Sequence, residues 1–321
     1  VMVAGYVVVA PAGMGYHGIS YIGLRRSGAE DEPRFSISVE LDAKIAELYT
    51  AYRKMDSDID LVLLDGSLYF STVPEFFSPV DAVDVMEAKR SAPWSTLASL
   101  ASATLLKLLR KAGSLGIPVV GVVKRVASRF LLPKISGLGI SCVEDVLLRT
   151  NDKFLLSFTL KPGEYVVMDS YLDVLKEYLS YIVKRFSGRK VRRAERVLEI
   201  LESCGRSGAG LRDELCRYMD DTAVVFYKQV GDAVYPQAVR LDVYPRKAVE
   251  SVVTYAVYNT SQNSVPIPID YVDRYIRLES SLIKKVYSML KTYIKNPEMY
   301  IALGLTNPQK YYLFEVKSVS G

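Results

Sequence analysis

Histidine is almost absent from this 321-residue chain, which contains His17 alone. A single imidazole excludes a zinc site built on several histidines. It also excludes a Ser-His-Asp triad anywhere except around His17. A metal ion would therefore have to be held mainly by carboxylates, which are the ligands that suit Mg²⁺ or Mn²⁺.

Cysteine is scarce as well, and Cys142, Cys204 and Cys216 show no CxxC or comparable metal-binding spacing. This small, odd number argues against a disulfide framework, so we expect a reducing, cytoplasmic setting. The sequence shows no signal peptide and no apolar run of transmembrane length, so we expect no membrane association. It also lacks a glycine-rich phosphate loop of the P-loop type, which argues against an ATPase.

The overall composition is that of a globular protein, with 50% hydrophobic and 24% charged residues. The net charge of +5 is compatible with a polyanionic partner. The length predicts roughly two domains or one large α/β unit. Abundant Tyr, Lys, Arg and Glu, with little Asn and Gln, favour a thermophilic source.

The most informative stretch is the apolar run 61–64, which leads directly into Asp65 and Gly66. A short continuous apolar run bounded by turn residues predicts a strand buried on both faces. Asp65 would then lie at the C-terminal end of this strand, where open α/β sheets place their chemistry. A carboxylate there needs a partner or a metal, unless it only accepts hydrogen bonds from the turn that follows.

The N-terminal elements are predicted in the order β-β-β-α-β. The strands span 2–10, 19–25, 35–39 and 61–64, and the helix spans 40–54. Ribonuclease H-like domains begin in this order. The fold class expected from the sequence is therefore α/β.

Further along, a helix at 95–112 and a buried strand at 117–123 predict a right-handed parallel crossover from the 61–64 strand. The remaining predicted elements are strands at 222–228 and 238–243, helices at 171–186 and 187–202, a segment at 249–259 that fits helix or strand, and an extended proline segment at 264–269 before a helix at 271–295.

Two carboxylates are predicted to meet at the end of the 61–64 strand. Glu40 opens the predicted helix, and the start of a helix that runs antiparallel to a strand lies near the end of that strand. Glu40 and Asp65 together would form a divalent-metal site suited to phosphodiester hydrolysis. Glu47 lies on the same helical face but is expected nearer the middle of the strand. The alternative for Glu40 is a first-turn acid favoured by the helix dipole.

Three basic residues, Lys124, Arg125 and Arg129, follow the neighbouring strand. At the same sheet edge they would contact DNA phosphates beside the metal, or else they are solubilising surface charges. The basic cluster at 189–196 fits either a DNA backbone or a solvated helix face.

Several stretches of this sequence together resemble the archaeal NurA nuclease family. They are Leu63-Leu64-Asp65-Gly66-Ser67-Leu68, Gly121-Val122-Val123-Lys124-Arg125 with Ser128-Arg129, Lys161-Pro162-Gly163-Glu164, and Pro266-Ile267-Pro268-Ile269. The resemblance implies a ribonuclease H-like core with a mixed β-sheet flanked by helices, plus helical insertions. It implies a single domain over 1–321, with half of the core in 1–160, a helical insertion in 161–215, and the rest of the core and a C-terminal helix in 216–321.

The resemblance also implies an activity and partners. The family acts as a Mn²⁺-dependent (or Mg²⁺-dependent) DNA nuclease with 5′–3′ exonuclease and single-strand endonuclease activity. It works as a homodimer with a hexameric HerA-type ATPase in the resection of DNA double-strand breaks. Asp65 matches the family's second metal-binding aspartate, and Glu40 matches its helix glutamate.

The sequence departs from the family pattern at two places. The family's first metal aspartate lies in an Asp-Gly-Ser motif on the first strand, and none occurs before Glu40, so we expect it to precede Val1 or to be lost. Around the late proline segment, Val265 and Asp273 replace a tyrosine and a histidine. Asp273 is then a further candidate metal ligand, with Tyr271 or Tyr275 as a phenol. The alternative function is a catalytically degenerate NurA-like subunit that guides DNA for a motor ATPase.

Overall fold

The computed structural model describes residues 2–10, 13–23, 32–70, 73–81, 84–91, 94–124, 126, 128–205, 210–230 and 237–275. One compact unit spans Val1–Val272. A second unit spans Asp273–Gly321, of which residues 273–275 are described.

Two sheets are present in the described part of the chain. Strands β1 (Met2–Ala10) and β2 (Gly13–Gly23) pair antiparallel as a two-stranded ribbon. The remaining strands form a five-stranded mixed sheet in the order β3-β4-β7-β6-β5. Strands β3 and β4 are parallel, and the other neighbouring strands are antiparallel. The strands of this sheet are β3 (Val62–Asp65), β4 (Val119–Val123), β5 (Tyr165–Ser170), β6 (Ala223–Lys228) and β7 (Ala238–Tyr244).

Helices cover both faces of the five-stranded sheet. In chain order they are α1 (Glu32–Lys54), α2 (Val85–Ser91), α3 (Trp94–Leu115), α4 (Leu132–Gly137), α5 (Ser141–Arg149), α6 (Asp152–Thr159), α7 (Tyr171–Arg185), α8 (Arg189–Glu202), α9 (Leu211–Asp220), α10 (Val249–Tyr258) and α11 (Ile267–Tyr275). None of these described helices is long and apolar enough to span a membrane.

Side chains along each strand point alternately to the two faces of the sheet, and each face packs against its own apolar cluster. The larger cluster joins Leu64 of β3 and Val119 of β4 to α1, α3 and α7, including the fully buried Leu41, Leu105 and Leu175. The smaller cluster joins Val120 and Val122 of β4 to α10. Because both faces of β4 are buried, it reads as a continuous apolar run, as the sequence indicated.

The prediction of a third N-terminal strand at 35–39 is wrong. These residues belong to α1, which begins at Glu32 rather than at Glu40. A five-residue alternating pattern is too short to separate strand from helix. Pro33 is compatible with this assignment because it lies in the first helical turn, where a backbone N–H has no helical acceptor.

The predicted parallel pairing of β3 and β4 is confirmed, and the chain between them contains α3. The segment 249–259 is helical, as α10. Strand β5 was missed, and it lies within the range predicted as a helical insertion. The proline segment is not extended throughout, because α11 starts at Ile267 and carries Pro268 in its first turn. The predicted helix beyond residue 275 lies outside the described residues.

The expectation against disulfides is wrong for two of the three cysteines. Cys204, after α8, forms a disulfide with Cys216 of α9, with their Cα atoms 6.2 Å apart. Cys142 is a free, exposed thiol. The number and spacing of the three cysteines could not reveal this pair. The two thiols meet because of how α8 and α9 pack, and cysteine spacing does not predict helix packing.

Candidate functional site

Asp65 lies at the C-terminal end of β3, where the sequence placed it. Its side chain is 42% exposed, and its Oδ2 accepts a hydrogen bond from Nζ of Lys124 at 2.9 Å. Lys124 directly follows β4, and the parallel register of β3 and β4 brings the two side chains together. An ion pair this exposed contributes little to folding. Stability alone therefore does not explain this pair at the end of β3.

Glu47 supplies a second carboxylate beside Asp65. Its Oε1 accepts a hydrogen bond from the backbone N–H of Asp65 at 2.6 Å, and its Oε2 accepts one from Nζ of Lys44 at 2.9 Å. Burial raises the pKa of the Glu47 carboxyl and the charge of Asp65 adds to this, whereas Lys44 lowers it. Asp65 and Glu47 thus lie next to each other near the end of β3, each paired with a lysine.

The helix carboxylate that contacts the Asp65 backbone is Glu47, and Glu40 lies elsewhere on α1. Glu40 is exposed and precedes Glu47 by seven residues, roughly 10 Å along the helix axis. The geometric premise behind Glu40 does not hold, because α1 begins eight residues earlier than predicted. Glu40 therefore lies in the interior of the helix, and its role as a metal ligand stays a prediction.

The remaining residues predicted for the site are Arg125, Arg129 and Asp273. Arg125 lies outside the described residues. Arg129 is half-buried, and its Nε donates to the carbonyl oxygen of Thr150 at 2.7 Å. Asp273 is half-buried and begins the second unit of the chain. The DNA-binding and metal-binding roles of these residues stay predictions.

A buried polar network lies directly behind the Asp65 turn. Asp242 on β7 is fully buried, and its Oδ2 accepts hydrogen bonds from Ser67 Oγ at 2.6 Å and from the backbone N–H of Leu68 at 3.2 Å. Nε of Arg240 lies 3.0 Å from Oδ1 of Asp242, and the Arg240 side chain is 5% exposed. The turn after Asp65 is therefore fixed to a central strand of the sheet.

The same network reaches the loop that follows β4. Arg240 Nη1 donates to Ser128 Oγ at 3.1 Å, and Ser128 Oγ donates to Oδ2 of Asp152 at 3.1 Å. The carboxylate of Asp152 also accepts the backbone N–H groups of Phe130 at 2.7 Å and Leu131 at 3.1 Å. Both segments that carry site residues are therefore tied to one buried ion pair.

Sequence reasoning missed this network, although one signal was present. Arg240 and Asp242 are two residues apart in the strand Ala238–Tyr244, so they lie on the same face of it. Two opposite charges on one face of an otherwise apolar strand indicate a buried ion pair. Their partners Ser67, Ser128 and Asp152 are far apart in sequence, and no local pattern reveals them.

The Asp152 carboxyl should make the free energy of unfolding depend on pH. Burial raises the pKa of its carboxyl from 3.8 to about 6, against the lowering effect of its hydrogen bonds and of Arg240. The folded protein then binds this proton more tightly than the unfolded chain. The stabilisation is complete below pH 3.8 and is lost as the pH rises through about 6. The free energy of unfolding should fall by about 3 kcal/mol across this window from this group.

Urea unfolding at several pH values between 4 and 7 checks this prediction, because Asp152→Asn should remove this part of the slope. Asp169→Asn is the matched control. Lys134 lowers the pKa of the exposed Asp169 carboxyl, so that residue's contribution has the opposite sign. A slope unchanged by Asp152→Asn would contradict the assignment.

Comparison with known proteins places the chain in a family. No curated protein matches it. Among solved structures, the crystal structure of the NurA nuclease from Sulfolobus solfataricus is similar, at 13% sequence identity and a TM-score of 0.47, covering 91% of this chain and 83% of that chain. A sequence model of the NurA domain matches residues 29–278. Because that match spans well over half of the chain, this protein belongs to the NurA domain family.

Proposed function

We propose that this protein is a divalent-metal-dependent DNA nuclease. The observation that carries the proposal is the pair of carboxylates Asp65 and Glu47, bracketed by Lys124 and Lys44 at the end of β3. Membership of the NurA family supports a nuclease with DNA as its substrate. The site combines hard oxygen ligands for a cation with the partly exposed ammonium of Lys124 for a phosphate.

The donor set fits Mn²⁺ or Mg²⁺. Asp65 and Glu47 would hold the metal, and sites for such ions commonly use one or two carboxylates together with substrate phosphates. Among the described residues there is no group of three His, Cys, Asp or Glu side chains placed to hold a metal. The ligand roles predicted from the sequence for Glu40 and Asp273 are additional to this pair, and Glu40→Gln tests the first of them. When bound, a divalent ion supplies a polarised water and charge for the leaving oxygen.

The lysines have two roles in this proposal. The ammonium of Lys124, which pairs with Asp65 in the structure, would contact a phosphate oxygen when that carboxylate is engaged elsewhere. Lys44 favours the ionised form of Glu47 against the effect of burial. Arg125 and Arg129 would extend the phosphate contacts along the loop after β4.

The finer parts of the proposal come from the family resemblance. They are 5′–3′ exonuclease and single-strand endonuclease activity with Mn²⁺ as the preferred metal, a ribonuclease H-like core, a homodimer, and action with a HerA-type hexameric ATPase at DNA double-strand breaks. The five-stranded mixed sheet with helices on both faces is compatible with such a core.

A second candidate function is a non-catalytic subunit that guides DNA for a motor ATPase. Two observations favour this second function. Each site carboxylate is already paired with a lysine, and the described residues bring together fewer than three metal-ligating side chains. In this case Lys124 would serve DNA binding, and the buried Lys44 would serve only to neutralise Glu47.

One assay separates the two candidates. Linear double-stranded and single-stranded DNA is incubated with the full chain in Mn²⁺, with and without excess EDTA, and DNA binding is measured in parallel. We expect degradation in Mn²⁺ that stops in EDTA. Binding without degradation would establish the second candidate, and degradation that persists in EDTA would overturn the metal-dependent mechanism.

A further inference from the structure

The turn that carries Asp65 passes over the neighbouring strand to reach β7. In register, Leu64 of β3, Gly121 of β4 and Asp242 of β7 lie side by side. A Cβ at position 121 would lie 2.7 Å from the carbonyl oxygen of Gly66 and 2.9 Å from the backbone nitrogen of Leu68. Glycine at 121 is therefore what lets the turn approach β4 closely enough to bond with Asp242.

Asp242 itself is held rigidly. It is fully buried on a strand that pairs on both sides, and its carboxylate lies against the guanidinium of Arg240. Its Oδ2 receives the Ser67 hydroxyl and the Leu68 N–H, two and three residues after Asp65. A buried ionised acceptor makes stronger hydrogen bonds than a neutral one.

The partner of Asp242 holds the opposite side of the site. Arg240 donates to Ser128 and lies over the ring of Phe130, 5.2 Å from its centroid. Ser128 and Phe130 belong to the loop that begins with Lys124. One ion pair thus contacts both the acidic turn and the basic loop.

We infer that Asp242 is a positioning residue of the proposed nuclease site and fixes Asp65 through Ser67 and Leu68. Arg240 in turn connects the Asp242 carboxylate to the loop that carries Lys124. This inference rests on the proposed function for its catalytic meaning. The restraint of the turn by the Asp242 carboxylate depends only on the observed hydrogen bonds to Ser67 and Leu68.

Ser67→Ala is the mildest test, because it removes one bond to Asp242 and leaves the buried ion pair in place. Ser170→Ala is the matched control. Ser170 Oγ donates to Asp173 at 2.7 Å, nearly the same length as the Ser67–Asp242 bond, but Ser170 lies at the opposite end of the sheet. Ser67→Thr keeps the hydroxyl and should restore the wild-type behaviour.

Two measurements are made on each variant of the full chain. The first is backbone amide hydrogen exchange in peptides covering residues 62–70. We expect Ser67→Ala to accelerate exchange there by about 2- to 10-fold, the range that one lost hydrogen bond corresponds to. The second is the Mn²⁺ concentration that gives half-maximal cleavage, together with direct Mn²⁺ binding by electron paramagnetic resonance. Both should shift to at least several-fold higher Mn²⁺ in Ser67→Ala and stay unchanged in Ser170→Ala.

Ser128→Ala tests the other arm of the network. It removes the bond from Arg240 to the basic loop, so we expect weaker DNA binding with an unchanged Mn²⁺ requirement. The two serine variants should therefore differ in which ligand they affect.

Each outcome decides the inference. Unchanged exchange at 62–70 in Ser67→Ala would overturn the restraint of the turn. Faster exchange with Mn²⁺ binding equal to that of Ser170→Ala would overturn the positioning of Asp65. If the wild-type chain cleaves no DNA, the proposed nuclease function fails, whereas the exchange and Mn²⁺-binding data still test the inference.

Discussion

Asp65→Asn and Glu47→Gln are each expected to lower Mn²⁺-dependent cleavage of linear DNA by at least about 10³-fold. Each substitution keeps the size of the side chain but removes a negative charge from the proposed metal site. Bound metals contribute several kcal/mol of transition-state stabilisation, and about 4 kcal/mol corresponds to this loss of rate. Initial rates of DNA degradation at fixed Mn²⁺ measure the effect.

Both variants should remain folded, because neither Asp65 at the end of β3 nor Glu47 on α1 belongs to an apolar cluster. Asp169→Asn is the matched control. It removes another exposed aspartate that pairs with a lysine, Lys134, at 2.6 Å, outside the proposed site. Cleavage by Asp65→Asn at the rate of Asp169→Asn would remove Asp65 from the mechanism.

Glu40→Gln gives the comparison that assigns the helix ligand. Glu40 is exposed and two helical turns away from Glu47, so we expect a loss of less than about tenfold. A large loss in Glu40→Gln with a small loss in Glu47→Gln would instead return the metal-binding role to Glu40.

The sequence alone was sufficient to locate Asp65, Lys124 and the parallel pair of strands that joins them. Buried parallel strands are written as continuous apolar runs, and the residues that follow two such neighbours meet at one edge. These inferences depend on local patterns and on the handedness of crossovers. They hold because runs such as Val119–Val123 are short and rich in β-branched residues, which favours a buried strand over a helix.

The choice between Glu40 and Glu47 could not be made from the sequence. It depends on which part of α1 passes the end of β3, and helical periodicity does not fix that alignment. Because α1 begins at Glu32 and extends past the strand end, the residue that meets Asp65 lies in its interior, at Glu47, and not at its start. Long-range partners such as Ser67 and Asp242 were equally hidden, because their contact requires the complete order of the sheet.

Arg240→Met is expected to lower the free energy of unfolding by about 3–5 kcal/mol, because it leaves the fully buried Asp242 carboxylate without its counter-charge. The double variant Arg240→Met/Asp242→Asn should be at least about 1 kcal/mol more stable than the single one, since the amide carries no charge to be desolvated. Urea unfolding measures all three proteins.

Arg110→Met is the matched control for this prediction, because the Arg110 ion pair with Glu214 is 46% exposed on the arginine side. It should change the free energy of unfolding by less than about 1 kcal/mol. A cost for Arg240→Met no larger than that of Arg110→Met would mean that water or another group satisfies Asp242. The buried pair would then not be the anchor of the turn, and Asp65 would owe its position to β3 and Glu47 alone.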